Sequence, residues 1–379
     1  MTHRYDVIVA GTGGVGSAAL FHLARRGVKV LGLDRFPPGH DRGSSHGHTR
    51  LIRQAYFEHA DYVPLVLRSY ELWAELEALR GQKLYHEVGL LEVGPADGEV
   101  VPGVLRAAEQ HGLEVEQLTG EQVERRFPGF RAPTPLVGVF ERRAGYLHVE
   151  ECVVAHVEAA LALGAELRTG EEVRAWEPDD DGVRVATDRE SYLADRLVIA
   201  AGPWAGQLLA ELGIPLVVRR KPQFWFRPRD KAYRVERGCP GFLFETPAGF
   251  YYGFPQLDDG GVKAAEHSGG AVVADPLTVN RDLDPADVSL VRAFLSAHLP
   301  GVSHELLHHA VCMYTLTPDQ HFVVDVHPQH RQVAFVAGLS GHGFKFTPVL
   351  GEALADLALN GRTSLPIGFL SATRPALQA

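Results

Sequence analysis

Apolar residues fill a short run, Tyr5–Ala10, broken only by Asp6. They give way to a glycine loop, resume at helical spacing over roughly Val15–Arg26, and form a second run at Val28–Asp34. That order predicts strand, loop, helix, strand, a βαβ unit. A second helix is predicted to start near Pro64, whose fixed φ suits a first turn, and to run through "LVLRSYELWAELEALR" to Gly81. A third, "EECVVAHVEAALALG", ends at Gly164 and feeds a short strand in "AELRTG". "VRAWEPDDDGVRVAT" has the alternation of a hairpin, with Asp181-Gly182 as its turn signal. "DRLVIAAGPWAGQLLAELG" predicts a strand, a small-residue turn at Ala201-Gly202, and a helix.

Past about residue 215 the period changes. "QFWFRP", "GFLFETPAGFYYGFP" and "GVKAAEH" cluster aromatic residues around Pro/Gly turns, as antiparallel strands do, with one helix near "PADVSLVRAFLSAHL". "VSHELLHHA" is expected to be a polar loop running into a strand. The last segment resumes the α/β alternation of the N-terminal part. It has a strand in "RQVAFVAG", a glycine-rich loop "LSGHGFKF", and a helix "PVLGEALADLAL" stopped by Asn360-Gly361. No internal repeat is visible.

Composition adds limits to this outline. At 379 residues and 45% hydrophobic, the chain can bury a large core, and its length suggests two domains. A formal charge of −10 with both signs interspersed argues against a general nucleic-acid or anionic-membrane surface, while leaving room for a local site for a small anion. No apolar run approaches the roughly 18 residues of a membrane span. Cys152, Cys239 and Cys312 are odd in number and far apart, which suits a reducing compartment and not a disulfide framework. A soluble, cytoplasmic protein is expected, and the acidic, patch-free composition permits a monomer.

Gly11-Thr12-Gly13-Gly14-Val15-Gly16 matches G-x-G-x-x-G between a strand and a helix. The first glycine allows the tight turn, the second lets a pyrophosphate approach the backbone, and the third lets helix and strand pack closely. The helix N-terminus offers free N–H groups and partial positive charge to phosphates. Asp34 ends the next strand, where an acid accepts hydrogen bonds from an adenosine ribose. Both FAD and NAD fit this motif. The turn in "LVIAAGPW" and the remote Gly338–Gly343 loop lean toward FAD, because a long cofactor needs support from distant segments.

The blocks "DVIVAGTGGVGSAAL", "GSSHGHTRLIRQAY", "YVPLVLRSYELW", "YYGFP", "AVCMYT", "HFVVDVHP" and "LSGHGFKF" carry a resemblance over nearly the whole chain. They are similar to the monomeric sarcosine oxidase and N-methyltryptophan oxidase group of flavin amine oxidases. The resemblance implies an α/β (α+β mixed) architecture: a Rossmann-like FAD-binding domain with a β-rich substrate-binding domain, as in the D-amino-acid-oxidase-like flavoproteins. The expected division is 1–85, 147–215 and 322–379 for FAD, and 86–146 and 216–321 for substrate.

The same resemblance implies FAD held covalently through the Cys312 sulfur, with Gly11, Gly13, Gly14, Gly16, Asp34, His46, Thr49, Arg50, Val173, Gly202, Gly341, Gly343 and Lys345 around the cofactor. Read without it, Cys312 would be a buried thiol acting as a small hydrophobe, the reading kept for Cys152 and Cys239. The substrate implied is a secondary (N-methyl) amino acid such as sarcosine, with dioxygen reduced to hydrogen peroxide. Its carboxylate is expected on Arg53 and Lys345, a task that suits a guanidinium fork and an ammonium. Arg50 is expected to stabilise the reduced ring, Lys263 to activate dioxygen, His267 to sit near the amine, and Tyr252 and Tyr314 to border the pocket.

Nineteen histidines raise the alternative of metal binding, but His46-x-His48 and His304/His308/His309 lack a cysteine or carboxylate at ligand spacing, so no metal is expected. Ser45, His48, Leu243 and Glu266 depart from the group's pattern and leave the choice among sarcosine, N-methyltryptophan, pipecolate and proline open. A nicotinamide or flavin dehydrogenase and a non-catalytic flavin-bound amino-acid sensor are the rival functions.

Overall fold

The computed structural model describes residues 4–179 and 181–378. Its first sheet is built around Arg4–Ala10, which pairs in parallel with Val30–Asp34 on one side and Ser191–Ile199 on the other. Glu166–Thr169 and Val333–Ala337 extend it, again in parallel. Strands covered on both faces need continuous apolar runs, which is why these segments show little alternation. Val7 and Val9 join the apolar cluster under the helices Gly14–Arg25, Val149–Ala162 and Thr347–Asn360, while Ile8 and Ala10 join a second cluster on the other side. The helices end where glycine takes a left-handed φ: Gly81 follows Tyr62–Arg80 at 63° and Gly361 follows Thr347–Asn360 at 68°.

The second sheet has eight strands in the order Val302–Leu316, Val217–Pro228, Val262–Glu266, Gly249–Phe254, Gly241–Thr246, Leu90–Pro95, Leu136–Glu141, Glu116–Thr119. All neighbours are antiparallel except Gly241–Thr246 with Leu90–Pro95. Alternation divides its residues sharply. Leu91, Val93, Phe242, Phe244, Tyr251 and Ala264 pack with Phe294 of the helix Pro285–His298 into one apolar core. Glu92, Leu243, Tyr252 and Ala265, directly opposite one another across four strands, share the other face with Lys263 and Phe254. A three-stranded sheet of Thr49–Ile52, Gly145–His148 and Tyr85–Glu87 completes the architecture.

Three local expectations are corrected. "VSHELLHHA" is strand from Val302 onward, because it pairs along Val217–Pro228 and its polar residues sit at the sheet's edge. The helix expected after Gly202 is only Ala205–Leu208, set between the 3-10 turns Gly202–Trp204 and Ala210–Leu212 and ended by Gly213 at a left-handed φ of 60°. Gly182 is not a turn residue but the first residue of its strand, paired with Asp179; residue 180 lies outside the described residues.

The two-faced sheet yields a paired stability test. Phe294 is buried and stacks on Tyr251 with ring centroids 4.6 Å apart, whereas Leu290 on the same helix is 49% exposed. Phe294→Ala is expected to cost about 3–5 kcal/mol in urea unfolding, and Leu290→Ala less than about 0.5 kcal/mol.

Candidate active site

The glycine loop opens into an elongated cleft. Gly11 turns with φ 89°, and a Cβ on Gly16 would lie 1.8 Å from the Gly11 carbonyl oxygen, so helix and strand approach as the motif requires. Asp34 Oδ2 accepts from Thr12 N (2.6 Å) and Oδ1 from Phe36 N (2.9 Å), which fixes the carboxylate at the cleft and leaves lone pairs for further donors. Ser45 Oγ accepts from Gly14 N at 3.2 Å, tying the loop to the segment that leads to Arg50.

From Asp34, Val173 and Gly202 the cleft runs past Gly13 and Gly14 to Arg50, Tyr314, Gly341 and Gly343. Trp204 Nε1, Thr315 Oγ1 and Thr347 Oγ1 are buried along it without a partner among the described residues, as a cradle for polar ligand atoms would be. Its glycine-loop phosphate site and the remote segments Ala200–Trp204 and Val336–Leu339 that line the same cleft fit FAD. Sequence reasoning missed Arg35, whose guanidinium lies 5.6 Å over the Trp204 ring at the Asp34 end. Its position next to Asp34 was the available signal. Gly16, His46, Thr49, Cys312 and Lys345 do not line this cleft.

Behind the wall at the inner end, Arg50 Nη2 lies 3.2 Å from Cys312 Sγ and 3.1 Å from the Ser44 carbonyl. Cys312 is fully buried and free, opposite Lys221 in the neighbouring strand. Lys263 Nζ donates to Gly47 O (2.6 Å) and Thr49 O (3.1 Å) and stands over Trp225 and Phe254. Burial, and then Arg50, push its pKa well below the usual lysine value. His46 leaves Nε2 without a partner among the described residues, and burial with Arg50 lowers its pKa to about 3.

His267 Nδ1 meets Tyr314 OH at 3.3 Å, and burial followed by Lys221 holds it at about 3, hence neutral. Tyr252 stands edge-on to His267 at 6.1 Å. The structure thus gathers His267, Tyr252 and Tyr314 on one side, and Arg50, Cys312, Thr49 and Lys263 beside them. Of the four departures, Glu266 pairs with Tyr251 and accepts from Ser268 Oγ, away from the Tyr252 row. His48 is exposed and faces Trp225 and His308. Leu243 lies in the Tyr252 row itself.

Arg53 and Lys345 meet at Tyr56. The guanidinium lies 4.1 Å over the Tyr56 ring, and Lys345 Nζ is 3.3 Å from its hydroxyl and 2.8 Å from the His342 carbonyl. Lys345 is only 6% exposed, and burial followed by Arg53 brings its pKa down to about 7. Glu58 accepts from Arg53 Nη2 at 2.5 Å, and Glu92 Oε1 lies 3.6 Å from Nε. Sequence reading singled out neither acid. A lone charge inside the apolar strand "GLLEVG" was the signal for Glu92.

Comparisons with known proteins agree with this geometry. Residues 6–357 match the FAD dependent oxidoreductase (DAO) family. The chain is 43% identical over 383 aligned positions to monomeric sarcosine oxidase of Bacillus sp. (strain B-0618), covering 100% of this chain and 98% of that protein. It is 45% identical to monomeric sarcosine oxidase of Streptomyces avermitilis, with 99% of each covered, and 39% identical to N-methyl-L-tryptophan oxidase of Salmonella enteritidis, with 95% and 96% covered. Among solved structures, NikD, an unusual amino acid oxidase, superposes with a TM-score of 0.86 at 29% identity over 98% of both chains. The resemblance and the fold class drawn from the sequence are borne out, and the chain belongs to the FAD dependent oxidoreductase family.

Proposed function

We propose that the protein oxidises a secondary amino acid such as N-methylglycine (sarcosine) to an imine that water hydrolyses, with dioxygen taken to hydrogen peroxide. For N-methylglycine the balance is amino acid, water and dioxygen in, and glycine, formaldehyde and hydrogen peroxide out. FAD supplies the two-electron acceptor. The observation that carries the reading is the pair Arg53 and Lys345, two buried cations converging on one tyrosine. Such a pair suits a carboxylate withdrawn from water, where charge-assisted hydrogen bonds are strongest.

The other residues take roles that follow from their surroundings. His267, kept neutral by burial, can accept from an amine N–H without adding a repelling positive charge. Tyr252, Tyr314 and Leu243 exclude water around the reacting C–H. Arg50 and Lys263 place positive charge where negative charge develops during electron transfer and dioxygen reduction. Cys312, beside Arg50, would hold the cofactor by a thioether in which its sulfur, reacting as a thiolate, replaces a hydrogen of a ring methyl, the two protons and two electrons released passing to dioxygen as hydrogen peroxide.

Two domains belong to the same proposal: 1–85, 147–215 and 322–379 around FAD, and 86–146 and 216–321 around substrate. The three-stranded sheet crosses both boundaries near residues 85 and 146. N-methyltryptophan is the second substrate considered, since a relative carries that activity in its name. A Leu243 wall in the Tyr252 row is compatible with a side chain larger than that of glycine.

Two experiments test these roles. The denatured wild-type polypeptide is expected to keep its yellow colour and an added flavin mass, and Cys312→Ala to lose both; an unmodified wild-type mass refutes the thioether. Lys263→Met is expected to slow reoxidation by dioxygen about 100-fold while changing anaerobic flavin reduction by less than about threefold. Equal slowing of both half-reactions refutes the role given to Lys263.

A further inference from the structure

Glu92 has no place in the chemistry above. It is fully buried, and neither carboxyl oxygen has a hydrogen-bond partner among the described residues. The Nε of Arg53 is 3.6 Å away, just beyond hydrogen-bond reach. An acid in that position is costly unless something else requires it. Its neighbours are accounted for. Glu58 is tied to Arg53 Nη2, and Glu141 accepts from the backbone N–H groups of Gln54 (2.7 Å) and Ala55 (2.9 Å). Arg53 Nη1 donates to Ala55 O at 3.1 Å. Glu92 therefore stands nearest the Nε end of the guanidinium, next to the Nη2 that Glu58 occupies.

The charge count gives this placement a purpose. Below about pH 7 Arg53 and Lys345 are both positive, Glu58 is held negative by Arg53, and an incoming carboxylate brings a second negative charge. The cluster is then neutral only if Glu92 is an acid and not an anion. We propose that Glu92 is a positioning residue for substrate binding, anchoring Arg53 from the Nε side and carrying the proton that lets a carboxylate enter without net negative charge. This rests on the reading of Arg53 and Lys345 as the carboxylate site and adds to it the residue that makes the site pH-sensitive.

The groups facing Glu92 fix the sign of that dependence. Burial raises its pKa, Arg53 and Lys345 oppose the rise, Glu141 and Glu58 add to it, and the result is about 8. Below that pH the carboxyl is neutral; above it, a third anion repels the ligand. Lys345, at about 7, is charged below and neutral above, so its loss also weakens carboxylate binding, at lower pH. Wild-type affinity for a carboxylate falls in two steps as pH rises. Glu92→Gln, neutral throughout, keeps only the Lys345 step.

The test is calorimetric titration of the holoenzyme with propionate, a carboxylate with no amine to oxidise, from pH 6.5 to 9.5 in buffers of different ionisation heat. Wild type and Glu92→Gln are expected to bind alike at pH 6.5, and the variant about tenfold more tightly than wild type at pH 9.5. At pH 8.5 wild type is expected to take up roughly half a proton more on binding than the variant. Glu92→Leu, which loses the anchor, is expected to bind about fivefold more weakly than Glu92→Gln at every pH, with kcat for N-methylglycine within about twofold of wild type. Parallel affinity curves and equal proton uptake overturn the proton role, and equal affinity of the Leu and Gln variants overturns the anchor. Flavin absorption and thermal melting confirm that each variant is folded. No propionate binding by wild type contradicts the Arg53–Lys345 site itself, a different failure from parallel curves.

Discussion

Four cations, Arg50, Arg53, Lys263 and Lys345, each less than a tenth exposed, are buried in one region of this protein, and the rest of the site follows from that concentration of charge. Taking an ion out of water costs several kcal/mol unless partners replace its hydration. Here the partners are mostly carbonyl oxygens of Ser44, Gly47, Thr49, Ala55 and His342, with the Glu58 carboxylate bound directly to Arg53. Carbonyl dipoles leave positive potential uncompensated. Burial first, and neighbouring cations second, depress the pKa values of Lys263 and Lys345 and keep His46 and His267 neutral. A site in this condition favours anions and electron-rich acceptors, which is what an amino acid's carboxylate beside FAD presents.

The eight-stranded sheet keeps that charge apart from the core. Phe242, Phe244 and Tyr251 lie on the face covered by Phe294, so that side supplies hydrophobic burial. The alternate residues of the same strands, Glu92, Leu243, Tyr252 and Lys263, point the other way and share the face on which the substrate site is proposed. Lys221 and Cys312, paired across the first two strands, continue this face toward Arg50. A one-residue slip in any of these strands would exchange core for site, so packing on one face enforces the geometry on the other.

What could be read from the chain depended on how local its cause was. The glycine loop, Asp34, and the helix stops at Gly81 and Gly361 are set by residues within a few positions, and the structure places them where the pattern does. The strand Val302–Leu316 was hidden, because its partner Val217–Pro228 lies far upstream and edge position tolerates histidines. Cys312, Arg53 and Lys345 were legible only through resemblance: nothing near them in sequence distinguishes a site residue from a filler or a surface charge. Glu58 and Glu92 went unnoticed since their meaning comes from Arg53, which meets Glu92 only in three dimensions. An acid in an apolar strand marks an anomaly; the fold tells which cation it serves.

The central claim is that a carboxylate held by buried cations is what admits a substrate to the flavin. Anaerobic rapid mixing of the purified protein with N-methylglycine and, separately, with N-methylethylamine, the same secondary amine without the acid group, tests it most directly. Saturable bleaching of the flavin absorption by N-methylglycine, and at least about 100-fold slower bleaching by the carboxylate-free amine at equal concentration, is the expected result. Equal rates for the two amines, or no bleaching by any N-methyl amino acid, would contradict the account.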